Sequence, residues 1–401
     1  MSIRLSSLYL MILFLVYINI SYSAGSDILV FAMCILVMSV PFIHLKQSDC
    51  IFIGFLTTYY FIMLIFVWEA YGEISYLTGA IIQFSSSIFL GVCTYRLLLI
   101  SKLCRNKNIL NIILIIYFIF LVFELFDVTR NVSNYNGQVF LVLTTDIIAM
   151  EHVRDLQMTK WFIRPNVFSK EASLAYLFFF VITCCYLLNS RSGIVLAILV
   201  ITNLILFIIF RTPSAALTLL MYFSIVFFNK NIYFPSLTKK SKFIFNVFFI
   251  MFVFIFLFMI SDFLLERFSD IDFNDANRNN SITIRVVAPL HFMFRVLSEY
   301  PLFGIGLGNL DVFRSDNVVV GNNATFYLIS FLGIIGTITL FLALAIWLYK
   351  EKQFYFSDFI IIILFFICLT LQTGAILNFR LWFYFFSFVA YFKTFKELEI
   401  N

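Results

Sequence analysis

Ten arginines, Arg130, Arg154, Arg164, Arg211, Arg267, Arg278, Arg285, Arg295, Arg314 and Arg380, fall in segments that the basic loops of this chain place on one side of a membrane. Only Lys160 and Lys170 accompany them there as lysines. A planar guanidinium grips a phosphate or carboxylate with two parallel hydrogen bonds, which an ammonium cannot do. Long loops escape the rule that keeps outer segments poor in basic residues, and that accounts for part of the set. It does not account for Arg211, which stands in Phe210-Arg211-Thr212-Pro213-Ser214 between two apolar runs, nor for Arg380, which has the same character. A cation so close to hydrocarbon is costly unless it has a partner or a task. The chemistry open to such a set is to hold an anionic group and to stabilise charge on a departing phosphate. One preorganised donor contributes roughly 3–4 kcal/mol to that.

The elements that must position these arginines follow from composition. Of 401 residues, 62% are hydrophobic and 12% charged, with 55 Phe and 20 Tyr and a mean hydropathy of +1.01. A single soluble globule has too little interior for so much apolar surface. The long, continuous apolar runs exclude an outer-membrane barrel with its short alternating strands. The expected class is all-α, a polytopic membrane protein with about twelve spans near 5–20, 27–45, 50–68, 80–100, 109–126, 171–188, 193–210, 214–228, 243–261, 324–349, 357–376 and 378–392. The organisation is then five helices in 1–126, a long outer loop in 127–170, four helices in 171–261, a second long loop in 262–322 that carries the chemistry, and three helices in 323–401. Lys46, Lys102, Arg105, Lys107, Arg191, Lys230, Lys239, Lys240, Lys242, Lys350, Lys352, Lys393 and Lys396 share one face, so both termini are expected in the cytoplasm. The first stretch reads as an uncleaved helix, although Arg4, the apolar run and Ser21, Ser23 and Ala24 also fit a signal peptide.

Other residues invite chemical readings. Cys34, Cys93, Cys184, Cys185 and Cys368 lie in apolar runs and Cys50 and Cys104 beside basic loops, so no disulfide framework is expected. His44, His152 and His291 lack metal-site spacing, and Asp270-Ile-Asp272 is too short a pattern to establish a cation site in an acidic loop, so no metal is assigned. The +5 net charge is what the positive-inside bias produces, and nucleic acid is not implied. Gly304-Ile-Gly306-Leu-Gly308 follows no strand and reads as a turn leading back to the membrane. Gly333 and Gly336 read as close-packing positions. In the stretch 284–296, Val287, Leu290, Phe294 and Leu297 share a helical face, which predicts an amphipathic helix at the membrane surface. Glu171 at a helix start is either a favourable dipole partner or the partner of an arginine.

Four motifs, in order, resemble bacterial O-antigen polymerases and ligases. They are Arg164-Pro-Asn-Val-Phe168-Ser-Lys-Glu171-Ala-Ser173; Phe210-Arg211-Thr212-Pro213-Ser214-Ala215; Arg285 followed by Tyr300-Pro301-Leu-Phe-Gly304-Ile-Gly306-Leu-Gly308-Asn309; and Phe331-Leu-Gly333-Ile-Ile-Gly336. Ala172 stands where that family has proline after Glu171, and Phe210 where it often has serine. Gly321-Asn322-Asn323-Ala324 lacks the histidine that the ligase branch carries before this helix. The resemblance implies a GT-C-like glycosyltransferase without metal or other cofactor, working at the periplasmic face of the bacterial inner membrane. Its donor would be a growing glycan on undecaprenyl pyrophosphate and its acceptor an incoming lipid-linked repeat unit, with a chain-length regulator and a flippase of the same pathway as partners. Arg211 and Arg285 are then the pyrophosphate clamps, Arg164 and Glu171 complete the cleft, and Arg278, Arg295 and Arg380 are further substrate-binding candidates. Ligation of glycan to lipid A core is the alternative within the family. Transport of a lipid-linked oligosaccharide is the alternative outside it.

Overall fold

The computed structural model describes residues 2–18, 25–71, 74–125, 172–210, 214–235, 247, 251, 288–307, 323–351, 355–373 and 376–400. Among them every regular element is helical: α1 (Ser2–Ile18), α2 (Gly25–Ser39), α3 (Gln47–Tyr71), α4 (Ile74–Ser101), α5 (Lys107–Leu125), α6 (Ala172–Ser190), α7 (Gly193–Phe210), α8 (Ser214–Phe228), the single turn α9 (Lys230–Tyr233), α10 (Ala288–Glu299), α11 (Ala324–Lys350), α12 (Phe356–Gln372) and α13 (Phe379–Ile400). The stretches Gln47–Val67, Leu77–Ser101, Gly193–Phe210 and Ala324–Lys350 are long and apolar enough to cross a bilayer. The chain is a helical membrane protein. Eleven of the expected apolar stretches fall on these helices; the ninth, 243–261, lies outside the described residues except for Val247 and Met251.

Helix α7 displays the physics behind this class. Leu196, Leu199, Asn203, Leu206 and Phe210 are buried, at alternating spacings of three and four residues, so one stripe meets the protein. Its other side carries Ile194, Ile198, Ile201, Leu204, Ile205 and Ile208, all exposed. A helix whose exposed side is as apolar as its buried side has hydrocarbon as its solvent.

The chain divides into two compact units, residues 1–44, 93–236 and 386–401 in the first and 45–92 and 237–385 in the second, so that two of the divisions fall inside α4 at Val92 and inside α13 at Phe385. In the first unit α6 is the centre, packed against α5, α7 and α8. Tyr176 donates to Asn203 Oδ1, Asn203 Nδ2 donates to the Ala215 carbonyl at 3.0 Å, and Tyr222 donates to Thr183 Oγ1. These bonds satisfy polar groups that would otherwise be stranded in an apolar bundle. The basic ends also meet: Arg105 pairs with Glu397 at 3.4 Å, Arg191 donates to the Phe395 and Leu398 carbonyls, and Lys396 donates to Asn229 Oδ1 at 2.8 Å. Cys104, in the connection between α4 and α5, is buried there, and burial holds its thiol well above the ordinary range.

In the second unit α11 is the centre, packed against α3, α10 and α12. At one end Lys46 pairs with Glu351 at 3.3 Å, and Asp49 accepts from Trp347 Nε1 at 2.9 Å and from the Lys46 backbone at 2.9 Å. Phe84, Phe366, Trp382 and Phe385 form an aromatic core, edge-to-face in the Phe84–Trp382 and Phe366–Phe385 pairs and tilted in the Phe366–Trp382 pair.

Three elements differ from their sequence-based outlines. Helix α13 runs beyond 392 to Ile400, because Lys393 and Lys396 lie over the rings of Tyr95, Phe392 and Phe395 and extend the buried helix into the basic end. The amphipathic helix is described over Ala288–Glu299, residues 284–287 lying outside the described residues, and the face it buries is Phe292, Met293 and Val296 rather than the stripe through Phe294, which is exposed. Helix α11 is broken at Gly333.

Candidate functional site

The break at Gly333 joins two motifs that lie far apart in the sequence. Gly333 has φ +63° and ψ −172°, so the α11 ladder cannot continue through it. In an unbroken helix the Ile334 and Ile335 amides would bond to the Ser330 and Phe331 carbonyls. Here both carbonyls accept from the Tyr300–Leu307 turn, Ser330 from the Ile305 amide and Phe331 from the Gly306 amide, each at 3.0 Å. Both amides donate back, Ile334 to the Pro301 carbonyl and Ile335 to the Leu302 carbonyl, also at 3.0 Å. Two lost intrahelical bonds are replaced by four between segments, so no backbone group is stranded.

Glycine is required at the crossing. A Cβ on Gly304, at φ +66°, would lie 2.6 Å from the Gly333 amide nitrogen and against the Ser330 carbonyl oxygen. A Cβ on Gly333 would press on the Gly304 nitrogen and the Leu302 oxygen. Gly306, at φ +84°, faces Val67 and Leu77, whose side chains would lie 2.8 Å from its Cβ. The turn thus docks on α11 while closing over the facing ends of α3 and α4, where Phe303 stacks on Phe66 at 4.9 Å. A small apolar cleft remains beneath it, lined by Tyr60, Leu77, Phe303 and Phe331 among others. The expectation of a turn at Gly304 and Gly306 holds, whereas Gly333 has a larger task than close packing. Gly336 keeps the packing role, with Met63 Cε 3.4 Å from the place of its Cβ.

Helix α10 leads directly into this turn. It carries three arcs: Phe292, Met293 and Val296 buried, Phe294 exposed and apolar, and His291, Ser298 and Glu299 exposed and polar. Phe292 meets Tyr327 edge-on at 6.2 Å, which fixes α10 against α11. Arg295 belongs to the polar arc and pairs with Glu299 one turn on, at 3.9 Å and with both side chains about half exposed. Arg285 lies three residues before α10, outside the described residues.

At the start of α11, Asn323 is fully buried and caps the helix by accepting from the Thr325 and Phe326 amides. The Ala324 amide donates to the Thr373 carbonyl at 2.8 Å, and the Thr325 and Thr370 hydroxyls bond at 2.7 Å. This polar contact brings the first turn of α11 to the last turn of α12. Gln372 in that turn donates to the Cys368 carbonyl at 3.0 Å, while its buried Oε1 has no donor among the described residues. Arg380 follows eight residues after the end of α12, in the first turn of α13, its amide bonded to Asn378 Oδ1 at 2.9 Å.

Of the seven sequence-derived site residues, the structure describes Arg295 and Arg380. Arg164, Glu171, Arg211, Arg278 and Arg285 lie outside the described residues, as do Asp270 and Asp272. The residues flanking Arg211 are described: Phe210 and Ser214 are both buried, and the Asn203 bond to Ala215 ties α7 to α8 across that turn. Asn203, Arg96 and Gln372 were not singled out from the sequence, yet each is a polar side chain inside an apolar run, the signal that marks intramembrane polar groups. Compared with known proteins, the chain matches no family model, and no curated protein matches it.

Proposed function

We propose that this chain is a polymerase of surface polysaccharide, O-antigen or capsule-like, with twelve spans in a GT-C-like arrangement and both termini in the cytoplasm. At the periplasmic face of a bacterial inner membrane it transfers a growing glycan from undecaprenyl pyrophosphate to the terminal sugar of an incoming lipid-linked repeat. The bond from the anomeric carbon to the pyrophosphate oxygen breaks, a bond from that carbon to an acceptor hydroxyl forms, and the hydroxyl proton leaves to a base for which Glu171, Asp272 and His291 are the candidates. The donor is already activated, so the difficulty is charge on the departing pyrophosphate, and Arg211 and Arg285 answer it. Arg164 and Glu171 complete the cleft, with Arg278, Arg295 and Arg380 as further contacts, and neither metal nor another cofactor is needed for this step.

The observation that carries the proposal is the union of Tyr300–Leu307 with Phe331–Gly336. The two blocks on which the resemblance chiefly rests are one bonded unit, with α10, the helix that follows Arg285, built into it. The test is incubation of the purified protein with a lipid-linked repeat unit, followed by sizing of the glycan. Long products are expected from the native chain, and accumulated single repeats from Arg211→Lys or Arg285→Lys, which keep the charge but lose the fork. A transition-state contact is worth tenfold in rate for each ~1.36 kcal/mol lost. Polymer made at the native rate by both variants overturns the clamp, and no polymer from the native chain overturns the activity.

A further inference from the structure

We propose that the basic end of the first unit binds an acidic phospholipid, with the phosphate at Arg191 and Lys230 and an acyl chain laid along α7. The last two turns of α13 are the hub of that end. Lys393 and Arg96 share the ring of Tyr95, at 5.8 Å and 5.0 Å, and Lys396 donates to Asn229 Oδ1. Glu397 pairs with Arg105, and the Phe395 and Leu398 carbonyls accept from Arg191. The Arg191 guanidinium also lies 5.0 Å over the Phe395 ring, on which Tyr233 stacks at 6.1 Å. Tyr233 closes the single turn α9 that Lys230 opens, and the ring of the next residue, Phe234, lies against Gly193, two residues after Arg191. Arg191 and Lys230 therefore flank one aromatic contact, and both are half-buried.

The bias toward basic residues in inner loops places cations in water and does not bury them. Here Arg96, Lys393 and Lys396 are 4%, 5% and 8% exposed. Carbonyls, an amide oxygen and rings satisfy such groups without cancelling their charge. To these six cations, Arg105, Arg191 and Lys230 included, the α4–α5 connection adds Lys102 and Lys107, both exposed, while the same segments supply two acidic residues, Glu397 and Glu399. Helices α4, α6, α8 and α13 end here, and their C-termini are worth about half a negative charge each. About four positive charges are left over, partly shielded from water, where a basic pocket between helix ends holds an anionic headgroup.

The position selects the anion. Arg191 stands two residues before Gly193–Phe210, a stretch long and apolar enough to cross a bilayer, so it lies at the level of phospholipid phosphates. From there Ile194, Ile198, Ile201 and Ile205 form an exposed stripe on α7 that runs for about 17 Å, close to half of a hydrocarbon core of ~30 Å. Phe228 and Leu398, exposed beside Lys230 and Arg191, complete an apolar rim. Free phosphate uses the cations and leaves the stripe bare, whereas a phospholipid uses both. A zwitterionic headgroup brings its own cation to a place already rich in them, so the lipid is an acidic one. This inference stands apart from the polymerase reading.

The experiment titrates the full chain, in a neutral maltoside detergent at low salt, with dioleoylphosphatidylglycerol, dioleoylphosphatidylcholine or glycerol 3-phosphate, and reads the melting temperature. Phosphatidylglycerol should raise it saturably, phosphatidylcholine much less, and glycerol 3-phosphate not at all at equal concentration. The apparent affinity for phosphatidylglycerol should fall about fivefold in Lys230→Gln and about thirtyfold in Lys230→Glu. Arg191→Gln should fall at least as far as Lys230→Gln; Lys230 carries the test, because Arg191 also holds the end of α13. Lys350→Glu, the same change of net charge at an exposed lysine of the second unit, should stay within about twofold of the native chain. An equal loss in Lys350→Glu and Lys230→Glu overturns the site, since the charge of the whole chain would then attract the lipid. Equal stabilisation by phosphatidylcholine overturns the choice of an acidic lipid, and glycerol 3-phosphate acting as strongly as phosphatidylglycerol overturns the lipid source.

Discussion

The break in α11 and the first turn of α13 are both irregular places in apolar helices, and they are completed in opposite ways. At Gly333 the chain meets its own needs: each amide and carbonyl released by the break is taken up by the Tyr300–Leu307 turn. At Arg380 the backbone is capped by Asn378, but the guanidinium meets no carboxylate among the described residues, the Tyr384 phenol one turn on being its electrostatic neighbour, and Gln372 Oε1 at the end of α12 has no donor among them. The basic end of α13 sharpens the contrast, since Lys396 there is held by Asn229 and Arg191 by two carbonyls. Polar groups that the protein satisfies in an apolar setting hold the fold together. Those it leaves open contribute no such hold.

The comparison breaks most severely at the closed region. Gly304→Ala or Gly333→Ala forces a side chain into a left-handed conformation, which costs about 1–2 kcal/mol. It also drives the new methyl group into backbone atoms that cannot move without losing the four bonds. Each variant should lose about 3 kcal/mol or more, a large share of a total of about 5–15. The expected reading is a collapse of monodisperse yield in detergent and a fall in melting temperature. Gly336→Ala has no positive φ and meets side-chain rather than backbone atoms, Leu332 Cβ at 2.9 Å and Met63 Cε at 3.4 Å, so it should fall less. Equal losses at all three positions would mean that packing, not the bonded crossing, holds the turn.

The next effect opposes the two ends of α13. Lys396→Met removes the donor to Asn229 and leaves a buried oxygen unsatisfied, so it should destabilise by about 1–3 kcal/mol. Arg380→Met removes a charge that the described protein does not compensate, so the empty protein should melt at the native temperature or above. Farnesyl diphosphate, a short stand-in for the proposed polyprenyl donor, should then raise the native melting temperature and raise that of Arg380→Met by less. A marked loss of stability in Arg380→Met would make the arginine a structural residue.

The helices were legible because lipid imposes one simple pattern. Gly193–Phe210 and Ser214–Phe228 match their apolar runs residue for residue, bounded by the charged and proline-containing turn between them. The junction at Gly333 was not legible, since a glycine in an apolar run looks the same whether it eases packing or ends a ladder, and only its partner 29 residues away in Gly304 distinguishes them. Helix α10 was expected where it lies but with another face turned inward. It is apolar over two adjoining arcs, and periodicity does not say which of them meets protein. Arg380 was found by charge alone. The tie of its connection to α4, the Ser87 bond to Leu377, is a contact across 290 residues that no local pattern records.

The smallest effect should come from the other arginine of the outer set that the structure describes together with Arg380. Arg295 shares its residue type, its apolar neighbours and its assignment to the outer side, yet it lies half exposed beside Glu299, with 3.9 Å between Nε and Oε1. An ion pair of that kind, one turn apart on an exposed helix face, contributes about 0.3–0.5 kcal/mol and is screened by salt. Arg295→Gln should therefore shift melting by a degree or two at most, and by less in high salt. Its affinity for farnesyl diphosphate should fall by less than that of Arg380→Gln. A loss of that affinity in Arg295→Gln equal to the loss in Arg380→Gln would erase the distinction between a satisfied and an open arginine, because a side chain already paired at the surface would then bind as strongly as one that meets no carboxylate among the described residues.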